Sequence, residues 1–224
     1  MEKLTTRDNH GSGEADSTER KVALLLTTLG SFITPFMSSS INIALPSIGS
    51  DLKADIISMG WIATSYLLAL AISMVPFGKL SDIHGRKRIF KYGLAAYTAS
   101  SLLCSASDSA TSLILLRILQ GVGSAMISCT AIAILTSVYP VGSRGRVLGL
   151  NVAAVYSGLS LGPFIGGVLT QNLGWRSIFA LNTLLSLILL TSVIWKLRGE
   201  WVEAEGERFD FVGSIIWALS LAGL

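Results

Sequence analysis

The chain has 224 residues, of which 51% are hydrophobic and only 14% charged, against roughly a quarter charged in an ordinary soluble domain. Its 17 Lys and Arg and 14 Asp and Glu leave a net charge of +3, and the mean hydropathy is +0.62. These values exclude a disordered chain and argue against a nucleic-acid partner. Long uncharged runs between short charged patches point instead to an all-α fold, a polytopic helical bundle with the lipid bilayer as its solvent.

In chain order, residues 1–21 hold nine charges and read as a polar cytoplasmic tail. The apolar run that follows is longer than the core of a signal peptide and lacks a clean small-residue cleavage site. A helix needs about 20 mostly apolar residues to cross the hydrocarbon, and six stretches approach that length: 22–48, 60–78, 92–107, 113–139, 147–169 and 177–195. Together they predict a six-helix bundle over 22–197, then a cytoplasmic linker over 198–210. A seventh span starts at Phe211 and stops at Leu224, after only about 21 Å of helix, so it reads as a truncated segment.

Counting bases by loop sets the orientation, because Lys and Arg are retained in the cytoplasm. The tail, the 79–91 loop, Arg144 with Arg146, and the segment after the sixth span hold 14 of them, whereas the alternate loops hold only Lys53 and Arg176. The N-terminus is therefore expected inside, in a multi-pass protein of the cell membrane. Trp61 and Trp175 fall at the outer ends, where amphipathic rings favour the interface.

In the first span, Thr27, Ser31, Thr34, Ser38 and Asn42 share one helical face, which should turn inward because unpaired polar groups are costly in hydrocarbon. Pro35 interrupts the backbone bonding halfway along. The fourth span carries Arg117, the sole charge inside the six, with Gln120, Gly121, Ser124 and Ser128 on the same face. An intramembrane charge is a functional candidate, unless it snorkels to the nearby interface. The fifth span has Gly158, Gly162 and Gly166 at steps of four, with Pro163 and Gly167 beside them. Such spacing lets helix backbones approach closely, and the proline adds a bend.

Between the second and third spans lies a short basic turn from Gly78 to Arg88, in which Asp82 can pair with Arg86 four residues on. His84 reads as a solvated loop residue. Cys104 and Cys129 sit in apolar runs and read as buried thiols. The sequence contains neither a phosphate-binding Gly-x-x-x-x-Gly-Lys-Ser/Thr motif nor a His/Cys/Asp cluster with metal-ligand spacing. No cofactor, metal or catalytic residue is expected, and the chain is not read as an enzyme.

Three of these motifs, in order, resemble those of the major facilitator superfamily. Gly78-x-Leu80-x-Asp82-x-x-Gly85-Arg86-Lys87 is similar to its loop between helices two and three. Arg117-x-x-Gln120-Gly121-x-Gly123-Ser124-Ala125 resembles its fourth-helix motif, and Gly158-x-x-x-Gly162-Pro163-x-x-Gly166-Gly167 its antiporter motif. Asn42-x-Ala44-Leu45-Pro46, Gly174-Trp175-Arg176-x-x-Phe179-x-x-Asn182 and Asp210-x-x-Gly213 resemble the fourteen-helix drug:proton antiporter branch. The resemblance covers nearly all of the chain from residue 22 onward. It implies two three-helix repeats forming an N-terminal transporter half that needs a C-terminal half. It also implies a conformational latch at Gly78, Asp82, Gly85 and Arg86, and a proton-coupling cavity at Thr34, Ser38, Asn42, Arg117, Gln120 and Gly121. One departure stands out. Met37 occupies the place where that branch commonly has an acid, and no Asp or Glu lies inside any of the six spans.

The expected function is secondary active export of small amphipathic or drug-like molecules by alternating access, coupled to protons if an acid comes from outside these spans or from the rims at Asp51, Asp55 or Asp82. The competing readings are a truncated, non-transporting membrane subunit or fragment, and a facilitator or importer of a metabolite.

Overall fold

A computed structural model describes residues 9–197, 199–204, 207 and 209–223, with 9–17, 211, 215 and 222 as backbone alone. Among the described residues there are seven helices and no strand: α1 (Asn9–Asp51), α2 (Ile56–His84), α3 (Arg86–Ser105), α4 (Ala110–Val138), α5 (Val141–Leu173), α6 (Arg176–Lys196) and α7 (Phe211–Ala222). Side-chain caps start three of them. Asp55 accepts from the Ser58 amide at 3.1 Å, Ser109 from Ser112 at 3.2 Å, and Asp210 from Gly213 at 2.8 Å; each satisfies an amide that the first helical turn leaves free.

Two of the connections are tight turns. α2 and α3 are joined by Gly85 alone, at φ +103°, and α5 and α6 by Gly174 and Trp175, with Gly174 at φ +81°. Both glycines hold a backbone that side-chain-bearing residues rarely adopt. Packing is most extensive between α1 and α5, α2 and α4, and α3 with both α4 and α6. Exchanging helices one to three with four to six turns the α1–α5 pair into the α4–α2 pair, as two repeats of three helices require.

Among the described residues, five helices are long and apolar enough to cross a membrane. α3 has the length, with 20 residues, but Arg86, Lys87, Arg88 and Lys91 crowd its first turns, and its polar middle, Tyr97, Thr98, Ser100 and Ser101, turns inward and is buried. Large apolar side chains such as Leu25, Leu115, Phe164 and Ile188 point outward and are exposed, the arrangement lipid as solvent favours.

The helices outrun the apolar windows read from sequence. α1 includes residues 9–21, expected as a tail, and α3 and α5 each begin six residues before their expected spans. The windows detect what hydrocarbon will accept, whereas backbone bonding continues through the charged ends into water. The 198–210 segment was expected as a simple linker. Its described part folds back on the α2–α3 turn: the Arg86 amide donates to the Trp201 carbonyl at 3.0 Å, and the Glu203 and Ala204 amides donate to the Asp82 carbonyl at 3.1 and 3.0 Å.

Candidate functional site

α1, α2, α4 and α5 surround a cavity of about 260 Å³, lined by Ser31, Thr34, Pro35 and Ser38, by Tyr66, Leu67 and Leu70, by Ser128 and Ile132, and by Asn151, Val155 and Leu159. α3 and α6 contribute none of these residues. Each lining helix presents at least one polar side chain to the cavity, and α2, α4 and α5 present leucine, isoleucine or valine beside it. α1 presents its Ser31, Thr34, Ser38 stripe, spaced for one side of a helix.

The residues grouped at this cavity from the sequence divide sharply. Thr34 and Ser38 line it; Asn42, one turn further, is exposed elsewhere, and Arg117, Gln120 and Gly121 lie behind the wall. Arg117 is only 1% exposed, so it does not snorkel to the interface. Its Nε donates to the Ile62 carbonyl of α2 at 3.1 Å, Nη1 donates to Gln120 Oε1 at 2.6 Å, and the guanidinium stacks 4.2 Å from the centre of the Tyr66 ring. The α2 carbonyl and the stacked ring compensate a charge that hydrocarbon alone would not hold.

Around Arg117 the network spans five helices, α1, α2, α3, α4 and α6. Gln120 donates to Ser101 of α3 at 2.7 Å, and Asn182 of α6 donates to the Tyr97 hydroxyl at 2.9 Å. Tyr66 closes the network towards the cavity. Its hydroxyl lies 2.6 Å from Ser124 Oγ and donates to the Thr34 carbonyl at 3.3 Å. Gly121 permits this closeness, since a Cβ there would press on the Tyr66 carbonyl and Ala69.

The glycines of α5 meet α1. A Cβ on Gly158 would lie 2.6 Å from the Phe32 carbonyl oxygen, one on Gly162 would strike Ser39, and one on Gly166 would sit 2.9 Å from the Ser40 backbone. The same contact carries hydrogen bonds, from Ser39 to the Gly158 carbonyl at 3.3 Å and from Ser40 to the Gly162 carbonyl at 3.0 Å. Gly167 differs. Its nearest neighbour would be Ile43 Cγ2 at 3.7 Å, ordinary contact. α5 runs without a break through Pro163.

At the α2–α3 turn, Arg86 is 8% exposed and donates twice to Asp82 Oδ1, from Nε at 3.0 Å and Nη2 at 2.8 Å. Nη1 donates to the Ala133 carbonyl of α4 at 3.1 Å and to Ser137, while Nη2 also meets Glu203. Glu200 Oε1 accepts from the Lys87 and Arg88 amides at 2.9 and 3.2 Å. Asp82, Gly85 and Arg86 thus meet in one cluster with residues 200–204. Gly78 lies two helical turns before Gly85, beside Cys129 of α4.

The sequence names one further residue without its partners and leaves another unnamed. Trp175, expected as an interfacial ring, is 3% exposed; its Nε1 donates to Asp51 Oδ2 at 3.0 Å, and Arg176 stacks on it while pairing with the same carboxylate. Asn151 lines the cavity although only 4% exposed. Its signal was available: it is an isolated amide in an apolar span, seven residues before Gly158 and so on the same face.

The Major Facilitator Superfamily family model matches residues 27–214. Among curated relatives, the chain is 32% identical over 200 residues to the riboflavin transporter RibZ of Clostridioides difficile, covering 89% of this chain and 44% of that protein. It is 36% identical over 204 residues to the cephamycin export protein CmcT of Amycolatopsis lactamdurans, covering 90% and 41%. The fold superimposes on the proton:xylose symporter XylE with a TM-score of 0.73 at 18% identity, over 83% of this chain and 46% of that one. The chain thus spans about half the length, or less, of the relatives it matches. A family match that runs through all six helices of the bundle, together with a shared three-dimensional arrangement, places this chain in the Major Facilitator Superfamily.

Proposed function

We propose that the chain forms the N-terminal half of a secondary transporter of the cell membrane, N-terminus inside, that exports small amphipathic molecules by alternating access. The observation that carries this reading is the cavity between α1, α2, α4 and α5, in a bundle whose α1–α5 joint is closely packed and whose α2–α3 turn carries a charged cluster. A C-terminal half would supply the opposite wall. The named activities of relatives, export of cephamycin among them, favour export over import.

Coupling to protons needs a titratable group that both faces of the membrane can reach. Among the described residues no acid lines the cavity. Of the rim acids, Asp51 and Asp82 are engaged by Arg176 and Arg86, and Asp55 caps α2 by accepting from the Ser58 amide. Proton coupling in this reading depends on a carboxylate from the second half, with Arg117 holding Tyr66 and Gln120 in position on this side.

The test is transport by the complete gene product in reconstituted vesicles, with a chloramphenicol and tetraphenylphosphonium probe pair and an imposed proton gradient. Accumulation of either probe against its gradient, abolished when the proton gradient is collapsed, is expected. Gradient-independent equilibration of a probe would identify a facilitator, and movement of neither would remove the transport reading.

A further inference from the structure

Resting on the transport reading, the cavity wall carries a finer statement about what it accepts. Its polar groups are uncharged: the hydroxyls of Ser31, Thr34, Ser38 and Ser128, the Tyr66 phenol and the Asn151 amide. Tyr66, the one aromatic ring lining it among the described residues, has a face covered by Arg117 and its hydroxyl committed to Ser124 and Thr34. An organic cation therefore finds neither a carboxylate nor an uncommitted ring here, and meets a buried positive charge behind the wall. An anion fares no better, because Arg117 is spent on Ile62 and Gln120 and a carboxylate would lose its hydration for hydroxyl donors alone.

Asn151 breaks this balance. Its Oδ1 is buried and accepts no hydrogen bond from any described residue, although buried polar atoms are nearly always paired. Neighbouring Val155 and Leu159 offer it nothing. We propose that Asn151 is a specificity-determining residue that accepts a hydrogen bond from the O–H or N–H of an electrically neutral, largely apolar substrate. The hydroxyls around it accommodate further polar groups, and Leu67, Leu70, Ile132 and Leu159 take the apolar body.

The experiment measures equilibrium binding of two radiolabelled probes to the purified complete gene product. Chloramphenicol is neutral and carries hydroxyl and amide donors; tetraphenylphosphonium is a permanent cation without a donor. Chloramphenicol is expected to bind at least about tenfold more tightly, and Asn151→Leu to weaken it about five- to tenfold, the effect of one buried hydrogen bond. Asn151→Asp, of nearly the same shape, is expected to reverse the preference at pH 8 by placing a carboxylate in the wall, which keeps the test open if the leucine variant folds poorly. Equal or tighter binding of tetraphenylphosphonium by the unmodified protein overturns the proposal, as does chloramphenicol binding unchanged in both variants. In either case transport measured in vesicles leaves the broader reading standing. Binding of neither probe, with no transport, removes both.

Discussion

Arg117 illustrates how a charge is kept inside a membrane bundle. Its guanidinium divides its work between a backbone carbonyl of α2, a side chain one turn along α4 and an aromatic face, and only a planar, forked cation can serve all three at once. Arg117→Lys retains the charge but loses the fork. It is expected to lower transport by the complete gene product about tenfold, roughly what one or two charge-assisted hydrogen bonds contribute, while the amount in the membrane stays normal. Near-normal rates, measured in vesicles with protein content matched, would mean that charge alone matters at this position. The sequence singled out Arg117 because it is the sole charge in six apolar spans, but it could not name Ile62 as its partner, since every residue offers the same carbonyl. The family resemblance implies a place at the cavity for Arg117 and Gln120, whereas Tyr66 lines the cavity in front of Arg117. Tyr66 itself carried no signal: one tyrosine among apolar neighbours reads equally as core, interface or site.

At the scale of the helix, the glycines of α5 grade themselves by what each faces. Gly162→Leu and Gly166→Leu would drive a branched side chain into Ser39 and the Ser40 backbone of α1, where neither can retreat without parting two helices joined by hydrogen bonds. Both are expected to abolish most transport while the protein still inserts, whereas Gly167→Leu, half-buried and meeting only ordinary contact with Ile43, should retain at least about half of it, since no backbone stands in its way. Equal loss in all three would make the motif a general intolerance of bulk rather than an α1–α5 joint. α2 offers a check of a different kind. Hydrogen bonds from Ser58 hold the Asp55 carboxyl below its ordinary value of 3.8. A carboxyl acidified by folding stabilises the folded state fully above its unfolded value and loses that contribution as pH falls through the folded one. The melting-temperature difference between the unmodified protein and Asp55→Ala should therefore be constant from pH 7 to pH 5 and shrink as pH falls below the ordinary aspartate value; a gap that does not shrink there would assign the difference to something other than the charged cap. Helix identity and order were legible because hydrocarbon tolerates so few charges. Helix ends were not, because beyond the lipid the backbone obeys hydrogen bonding rather than hydropathy, as the extension of α1 back to Asn9 and the start of α3 at Arg86 demonstrate.

Over the whole molecule, the 14 to 2 distribution of loop bases predicts an N-terminus inside, so single cysteines at Lys53 and Ser143 should react with an impermeant maleimide from opposite sides, Lys53 from outside; labelling of both from one side would overturn the arrangement. On the expected cytoplasmic side the charged cluster then acquires a mechanical meaning. Arg86 draws together α2 through Asp82, α4 through Ala133 and Ser137, and the 199–204 segment through Glu203, while the backbone of that segment is pinned to the Asp82 carbonyl. A transporter that alternates must hold one end closed by contacts that are strong enough to populate the closed state yet break as a unit, and a switch of this kind responds only to changes that favour one state over the other. Asp82→Asn removes the carboxylate charge but leaves the backbone carbonyl that receives Glu203 and Ala204, so the turn should survive while Arg86 is held less firmly. The expected result is a shift towards the inward-open state: a cysteine replacing Ser38 in the cavity wall should be alkylated several-fold faster by an impermeant reagent added from the cytoplasmic side, with chloramphenicol affinity changed by less than about twofold. Loss of affinity with an unchanged alkylation rate would place Asp82 in the binding site and leave the bundle without the latch that the cluster around Arg86 describes.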